Sequence, residues 1–456
     1  MISPEEKRRQ MLTAPVELLV CKMAVPTIIT MLITAFYNMA DTYFVGQLDT
    51  VSTASVGLAL PLMNVIQAIG FFFGHGSGNY MSRKLGEGDS KSADAMADTA
   101  IIMSMASGTV IALIGLILIR PLVTLLGATP LLMETSVEYI SILLVGIPFV
   151  IASFTINNQL RFQGSAFLGM IGMASGSVLN VILDPIFIYT LDMRIAGAAI
   201  ATVISQVISF IVLLVMSGRL PLRKPYFNLT AEVFASICQF GTPSLFRQAV
   251  ASVAAICCNH VAGGYGEPVI AAVSVVNKII MVGASVVIGF GQGFQPVCGF
   301  NNGAKRYDRV YRMFIFCIKA STVFMLVFGI ISFIFSEQLV SFFRDDPEVI
   351  SAGIMLLRFQ CISVPLHGII IMTNMLMQNM GKTLSATILS IARQGIFFIP
   401  FILLLPHFFG IMGVLSAQAA ADVFTALVTL PMTVIAAKNL KQSISSMEAV
   451  PENELL

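Results

Sequence analysis

Long apolar runs, separated by short breaks that contain charged residues, glycine or proline, recur along the whole chain. Most are 20 residues or longer, about the length an α-helix needs to cross the hydrocarbon core of a bilayer. The pattern predicts an all-α membrane protein with twelve transmembrane helices. We predict the first six at 17–45, 51–74, 95–119, 135–155, 166–190 and 196–217, and the second six at 235–262, 268–293, 310–335, 349–375, 382–405 and 411–436.

The composition agrees with lipid as the main solvent. Of 456 residues, 57% are hydrophobic and only 11% are charged, and the mean hydropathy is +0.88. A soluble domain carries about a quarter charged residues, so this chain has too few to cover a water-facing surface. The first apolar run has no convincing small-residue cleavage site, so we expect a retained span and not a signal peptide. The net charge of +2 gives no indication of nucleic acid, and none is expected as a partner.

The distribution of lysine and arginine predicts the orientation. Segments on the side of the N-terminus hold 17 of the 26 basic residues, and the opposite side holds 3, namely Arg120, Arg194 and Arg344. The other 6 lie within the predicted helices or near their ends. Cytoplasmic loops of membrane proteins carry the excess of lysine and arginine. We therefore expect a multi-pass protein of the inner or plasma membrane with both termini in the cytoplasm.

Reporter fusions test this orientation. Fusions at Leu48 and Asp345 should read as external, and fusions at Glu87 and Lys305 as internal, because basic residues surround only the latter pair. A reversed pattern of reporter activity would rule out the predicted topology.

The two halves of the chain repeat. Four residue pairs are each separated by 217 positions: Pro26 and Pro243, Pro130 and Pro347, Pro148 and Pro365, and Asn157 and Asn374. Glycines 74, 76 and 78 match glycines 289, 291 and 293 at a separation of 215. Because each half holds six spans, both enter the membrane in the same direction, as in parallel repeats related by a pseudo-two-fold axis along the membrane normal. We predict two six-helix lobes, 1–220 and 221–456, that face each other across a central cleft.

No motif for nucleotide hydrolysis or other catalysis is present. Gly381, Lys382 and Thr383 end like a P-loop, but Leu376 stands where that motif needs its first glycine. The glycines at 74–78 indicate close packing and a helix end. The sequence has four histidines and seven scattered cysteines without a CxxC pair, which argues against a metal or redox centre. We predict that the protein is not an enzyme.

Polar side chains of the first half lie at one predicted depth. Asp41 is about 4 residues before the outer end of the first span, Asp184 about 6 before the end of the fifth, and Thr202 about 6 into the sixth. Asn180 lies one turn from Asp184 on the same face. At 1.5 Å per residue all four fall within about 15 Å of the outer surface. Charged residues at such depth indicate function, and these four suit a sodium ion or a proton. The alternatives are that Asp41 reaches the interface and that Asp184 is structural.

The second half is basic inside. Its deep charges are Arg247, Lys278, Arg393 and a single acid, Asp422. Arg393 and Asp422 lie at equal depth on consecutive antiparallel spans, which predicts a structural ion pair. We assign Arg247 and Lys278, together with Gln206, to a substrate cavity. The 26 methionines and 33 phenylalanines favour a cleft that repacks around varied apolar substrates.

Several segments resemble the multidrug and toxic compound extrusion (MATE) family. They are MADTYFVGQLDTVSTASVGLALP, SRKLGEGDSKSADA, NVILDPIFI and GAAIATVISQ in the first half, and GTPSLFRQ, GFGQGFQPVCGFNNGAKRYDRV and GVLSAQAAAD in the second. The resemblance covers nearly the whole chain and is nearest to the bacterial branches that contain the DNA-damage-inducible and staphylococcal multidrug exporters. It implies a two-lobed, twelve-helix antiporter that exports drugs or other organic compounds in exchange for sodium ions or protons.

The resemblance also implies site residues. The family's cation site would be formed here by Asp41, Asn180, Asp184 and Thr202. Tyr37 and Asn157 would be neighbouring residues that line the lobe. Some branches place acids in the seventh and tenth helices, but this chain has none there, so coupling is expected in the first half. We expect no cofactor beyond the coupling ion, a monomer, and small organic substrates and membrane lipid as partners.

Two other functions fit parts of the sequence. A lipid-linked oligosaccharide flippase would use Arg247, Lys278 and Arg393 for pyrophosphate, but such relatives typically carry more than twelve spans. A membrane-embedded enzyme would need a catalytic acid–base set near the interface, and the sequence offers none.

Overall fold

The structure, a computed structural model, describes residues 4–218, 230–344 and 346–448, without the side chains of residues 35, 37–43, 46 and 50. These residues are almost entirely helical. The helices are α1 Pro4–Thr13, α2 Val16–Gly46, α3 Thr50–Glu87, α4 Ser90–Ile117, α5 Ile119–Leu125, α6 Met133–Phe162, α7 Ala166–Pro185, α8 Arg194–Met216, α9 Ala231–Gly263, α10 Glu267–Gly303, α11 Tyr307–Ile334, α12 Ser336–Phe343, α13 Pro347–Ser363, α14 Leu366–Asn379, α15 Thr383–Ile391, α16 Ile399–Phe409 and α17 Ile411–Glu448. Two π-helical segments, Ile186–Thr190 and Ala392–Phe398, continue α7 and join α15 to α16.

Twelve membrane crossings follow from these helices. Within the described residues, eleven helical stretches are long and apolar enough to cross a bilayer. The twelfth is the pair α13 and α14, which meet at an angle of 54°. Pro365 lies at this bend and cannot supply the backbone hydrogen bond that would keep the helix straight. The predicted all-α fold with twelve transmembrane helices is confirmed.

The glycine-rich stretches lie inside long helices, so the predicted helix end at 74–78 is wrong. Helix α3 continues to Glu87, and α10 continues through residues 289–293 to Gly303. The glycines instead allow neighbouring backbones to approach. A Cβ on Gly76 would lie 2.6 Å from the carbonyl oxygen of Ile237, and one on Gly293 would lie 2.5 Å from the backbone nitrogen of Ala24. Small residues at helix contacts are typical of membrane proteins.

We expect Gly76→Ala to lower stability and Gly57→Ala to leave it unchanged or raise it slightly. Both glycines lie in α3, but nothing lies within 4 Å of a Cβ on Gly57. Overpacking a tight contact costs about 1–3 kcal/mol, whereas alanine is the better helix former by about 1 kcal/mol. Thermal unfolding in detergent, followed by size-exclusion chromatography, measures both variants. Equal melting temperatures would contradict the close approach at Gly76.

The chain forms two compact units. The continuous unit is Ile29–Gln248, and the split unit combines Met1–Ile28 with Ala249–Leu456. Both boundaries fall inside long helices, α2 and α9. The start of α2 therefore belongs with the later helices, and the start of α9 with the earlier ones. The predicted division into lobes 1–220 and 221–456 stays a prediction.

Packing within each unit reveals the repeat. In the continuous unit, a Cβ on Gly74 would meet Asn158, and in the split unit one on Gly291 would meet Met375. The members of each equivalent pair, Gly74 with Gly291 and Asn158 with Met375, are separated by 217 residues. The predicted separation of 215 for the glycines is thus wrong by one glycine position, and the proline separation of 217 also holds there.

Candidate functional site

The three described members of the predicted ion site lie on two neighbouring helices of the continuous unit. Asn180 and Asp184 occupy successive turns of α7, and Thr202 lies on α8. Helix α8 crosses α7 closely at Gly176, where a Cβ would lie 2.9 Å from the carbonyl oxygen of Ser205. The small residue one turn before Asn180 thus brings the two polar faces together.

Hydrogen bonds join the three side chains. Asn180 Nδ2 donates to Asp184 Oδ1 at 3.2 Å and to Thr202 Oγ1 at 3.3 Å. Asp184 is fully buried, and the other two are nearly so. A buried polar group is costly unless it is hydrogen-bonded or binds an ion. The prediction that these residues share one depth and one face therefore agrees with their contact, while their role in ion binding stays a prediction.

The oxygen atoms of this cluster suit a small hard cation. Asn180 Oδ1 is buried and accepts no hydrogen bond from the described part of the chain. Carboxylate, amide and hydroxyl oxygens are the ligands that hard cations prefer. No group of three His, Cys, Asp or Glu side chains that could hold a metal occurs among the described residues, so the donor set fits an alkali cation better than a transition metal. Asp41 and Tyr37 lie in α2, and their side chains are outside the described residues.

The backbone changes character beside Asp184. Pro185 follows it directly, and the π-helical segment Ile186–Thr190 begins one residue later. Proline removes one helical hydrogen bond, and single π-helical turns are frequent at functional sites. Helix α8 packs on this segment through Gly197, where a Cβ would lie 2.6 Å from the carbonyl oxygen of Phe187.

A second buried carboxylate, Asp422 on α17, lies in the split unit. Its Oδ1 accepts from Arg393 Nε at 2.7 Å and from Gln418 Nε2 at 3.0 Å. Its Oδ2 accepts from Ser363 Oγ and lies 2.9 Å from His367 Nε2. Asp422 is only 1% exposed. Arg393 and Asp422 thus lie as close as the sequence suggested, and their purely structural role stays a prediction.

The repeat relates this cluster to a neutral pair in the continuous unit. A Cβ on Gly146 would lie 2.8 Å from Gln206 Oε1. Ser363 follows Gly146 by 217 residues, and Asp422 follows Gln206 by 216. The same helix contact therefore carries a neutral amide against glycine in one unit and a carboxylate against serine in the other. The charged cluster is a property of the second repeat.

The other residues assigned to a substrate cavity lie apart within their units. Asn157 Oδ1 packs on Gly169, where a Cβ would lie 2.5 Å away, so it marks the contact of α6 with α7. Arg247 is half-buried on α9, and Lys278 is exposed on α10. Neither forms an ion pair with any described residue.

Sequence reasoning missed a buried basic cluster in the continuous unit. Arg161, which we counted with the cytoplasmic segments, is buried in α6. Its Nη2 lies 3.1 Å from His75 Nε2 and donates to Asn158 Oδ1 at 2.5 Å. The guanidinium also lies 5.2 Å from the centre of the Phe162 ring. The i, i+3 spacing of Asn158 and Arg161 was the available signal.

Around Asp422 the sequence signals were local. Gln418 lies four residues before Asp422, and His367 lies four residues after Ser363, so each pair shares a helix face. Depth alone could not show that these two faces meet, because depth does not fix the rotation of a helix about its axis.

Comparisons with known proteins place the chain. A family model described as MatE matches residues 26–186 and 243–404, one stretch in each repeat. The chain belongs to the MATE family. The multidrug export protein MepA of Staphylococcus saprophyticus subsp. saprophyticus is 27% identical over 414 residues, which cover 89% of this chain and 91% of the relative. MepA of Staphylococcus aureus strain MSSA476 is 27% identical over 426 residues, which cover 91% of this chain and 93% of the relative.

Solved structures agree. The outward-facing structure of a multidrug resistance MATE family transporter of the MOP superfamily superposes with a TM-score of 0.88 at 27% identity, covering 95% of this chain and 98% of that one. The MATE protein is therefore a membrane transporter and not an enzyme. These relatives give no support to the flippase alternative.

Proposed function

We propose that this MATE transporter is a secondary active antiporter that exports drugs or other organic compounds in exchange for sodium ions or protons. The observation that carries the proposal is the buried cluster of Asn180, Asp184 and Thr202. A carboxylate buried in a membrane helix is costly, so it is retained where it has a function. The multidrug export proteins among the relatives support the choice of substrate.

Coupling is assigned to the Asp184 cluster and not to Asp422. Asp422 already accepts from an arginine, an amide and a hydroxyl and contacts a histidine, so its oxygens are filled by the protein itself. Asp184 receives one neutral amide donor at 3.2 Å beside a buried acceptor, Asn180 Oδ1. A cation entering the split-unit cluster would have to displace Arg393, whereas the continuous-unit cluster offers oxygen atoms. Asp41 is proposed to supply the second carboxylate there.

Proteoliposomes with each ion gradient imposed separately test this function. Efflux of a fluorescent cationic dye such as rhodamine 6G should follow one imposed gradient, sodium or proton, and stop when that gradient is collapsed. Efflux that continues at the same rate with neither gradient would contradict antiport. The same preparation tests the proposed orientation, with both termini on the cytoplasmic side of the inner or plasma membrane, and the proposed monomeric state.

A further inference from the structure

Arg393 carries hydrogen-bond donors that the split unit does not use. A guanidinium has five N–H donors, and only Nε–H is engaged, by Asp422 Oδ1 at 2.7 Å. Within the described part of the chain, neither Nη atom makes a hydrogen bond or a ring contact. The side chain is 26% exposed although its partner is only 1% exposed. The inner edge of the guanidinium is thus held, and its outer edge is accessible.

The position of Arg393 excludes lipid as the neighbour of that outer edge. It lies in the membrane helix Thr383–Phe409, about 15 Å from the start and 24 Å from the end at 1.5 Å per residue. A guanidinium in contact with acyl chains at such depth is strongly disfavoured, and deep charges face the protein interior or a water-filled cavity. Arg393 is also the second residue of the π-helical segment Ala392–Phe398, and such segments are frequent at functional sites.

Asp422 acts as a positioning residue for this arginine. Each carboxylate oxygen has two polar neighbours, which together come from α13, α14, the π-helical segment and α17. A carboxylate offers about four lone-pair sites, so the cluster leaves no vacant acceptor for a proton or a sodium ion. Its remaining capacity is to fix the Arg393 guanidinium with both Nη groups directed outward.

From this geometry we infer that Arg393 binds the carboxylate or phosphate group of an amphiphilic organic anion carried by this transporter. Two parallel N–H donors match the two oxygens of such a group. Phe397 lies four residues further along the same segment and packs on Phe401 and Phe424, at ring-centre distances of 6.4 and 5.9 Å. An apolar body beside the anionic group thus has aromatic side chains nearby. The inference rests on the proposed export function and adds a substrate class to it.

Equilibrium binding without a gradient tests the inference. Fluorescein is the anionic probe and rhodamine 6G the cationic one, each titrated by anisotropy with the full-length detergent-purified protein at pH 8. Arg393→Gln alone would leave Asp422 uncompensated, so the principal variant is Arg393→Gln with Asp422→Asn. We expect it to bind fluorescein at least tenfold more weakly than wild type and rhodamine 6G within twofold of wild type. Arg393→Lys, which keeps the charge and loses the fork, should lie between them.

Arg358→Gln is the matched control. Arg358 belongs to the same unit and, like Arg393, donates through Nε, but to the neutral Ser336 Oγ at 3.2 Å. This variant should bind both dyes as wild type does. Displacement of fluorescein by phenyl phosphate or benzoate would identify a soluble substrate, and displacement by phosphatidylglycerol but not phosphatidylcholine a lipid headgroup.

Two results would overturn the inference. One is wild-type affinity for fluorescein in the folded double variant, and the other is an equal loss of both dyes, which indicates a structural role. The dye-export assay keeps the two proposals separate. Gradient-driven rhodamine export with fluorescein binding independent of Arg393 rejects only the anion site. Arg393-dependent fluorescein binding without any gradient-driven export rejects only the antiport function.

Discussion

We expect Asp184→Asn to abolish gradient-driven export while the protein stays inserted and folded. The amide has the size of the carboxylate, and its oxygen can still accept from Asn180 Nδ2, which now donates to Asp184 Oδ1 at 3.2 Å. The negative charge is lost. Without it, neither a proton nor a sodium ion gains from binding in this buried place, where uncompensated charge is costly.

The physical reason for so large an effect lies in how a gradient does work. A ligand shifts a conformational equilibrium only by the difference between its affinities for the two states. If the ion favours one arrangement of the transporter and the substrate the opposite one, entry of the ion drives export. Asp184 and Asp41 are proposed to carry that ion, since two carboxylates at one depth repel each other until a cation or proton relieves the repulsion. Removing one carboxylate removes the repulsion itself, so substrate binding remains and coupling is lost.

Ion-driven uptake into inverted vesicles at matched protein levels measures this effect. Asp192→Asn is the control, because Asp192 lies outside the helices shortly after the same segment, at a φ of 50° that asparagine tolerates well. Thr202→Ala removes one neutral oxygen and should raise the ion concentration for half-maximal transport about tenfold, equivalent to about 1.4 kcal/mol. Wild-type transport with the same ion dependence in Asp184→Asn would show that coupling belongs to other residues.

Hydrophobic runs predicted the helices well, but not where they end. The predicted span 166–190 agrees with the helical stretch Ala166–Thr190, whereas 51–74 stops 13 residues before the end of α3 at Glu87. Helix α3 extends beyond the apolar run because its last turns are capped by Gly88, whose φ of 91° ends the helix. Hydropathy reports burial in lipid, and the helix continues where lipid no longer decides.

The site could be predicted only where local spacing and depth agree. Asn180 and Asp184 share a face by i, i+4 spacing, and Thr202 lies at their depth on the next helix, so their contact follows from sequence. The meeting of His367 with Asp422 depends on the rotation of two helices separated by a 54° bend and a π-helical segment. A π-helical turn adds a residue and rotates everything after it, which depth along the membrane cannot reveal.

We expect Asp422→Asn to lower the amount of folded protein strongly, and the added change Arg393→Gln to restore much of it. Removing one member of a buried ion pair costs about 3–5 kcal/mol, because the other charge remains uncompensated. The amide adds a second conflict. One of its two positions is an N–H donor, and both positions face existing polar neighbours: Arg393 and Gln418 on one side, Ser363 and His367 on the other. With Arg393→Gln, the unpaired charge is gone and the two amides can donate to each other.

Abundance and monodispersity of a fluorescent fusion, measured by size-exclusion chromatography, test this pair. Asp308→Asn is the matched control, since Asp308 pairs with Arg306 at 3.1 Å in the same unit while both side chains are 51% exposed. Exposed pairs contribute about 0–1 kcal/mol, so this variant should match wild type. Normal abundance of Asp422→Asn would mean that water or substrate already compensates Arg393, which places the pair in a cavity. A double variant as depleted as the single one would mean that the hydrogen bonds of Asp422 to Ser363 and Gln418, and not its charge, hold these helices together.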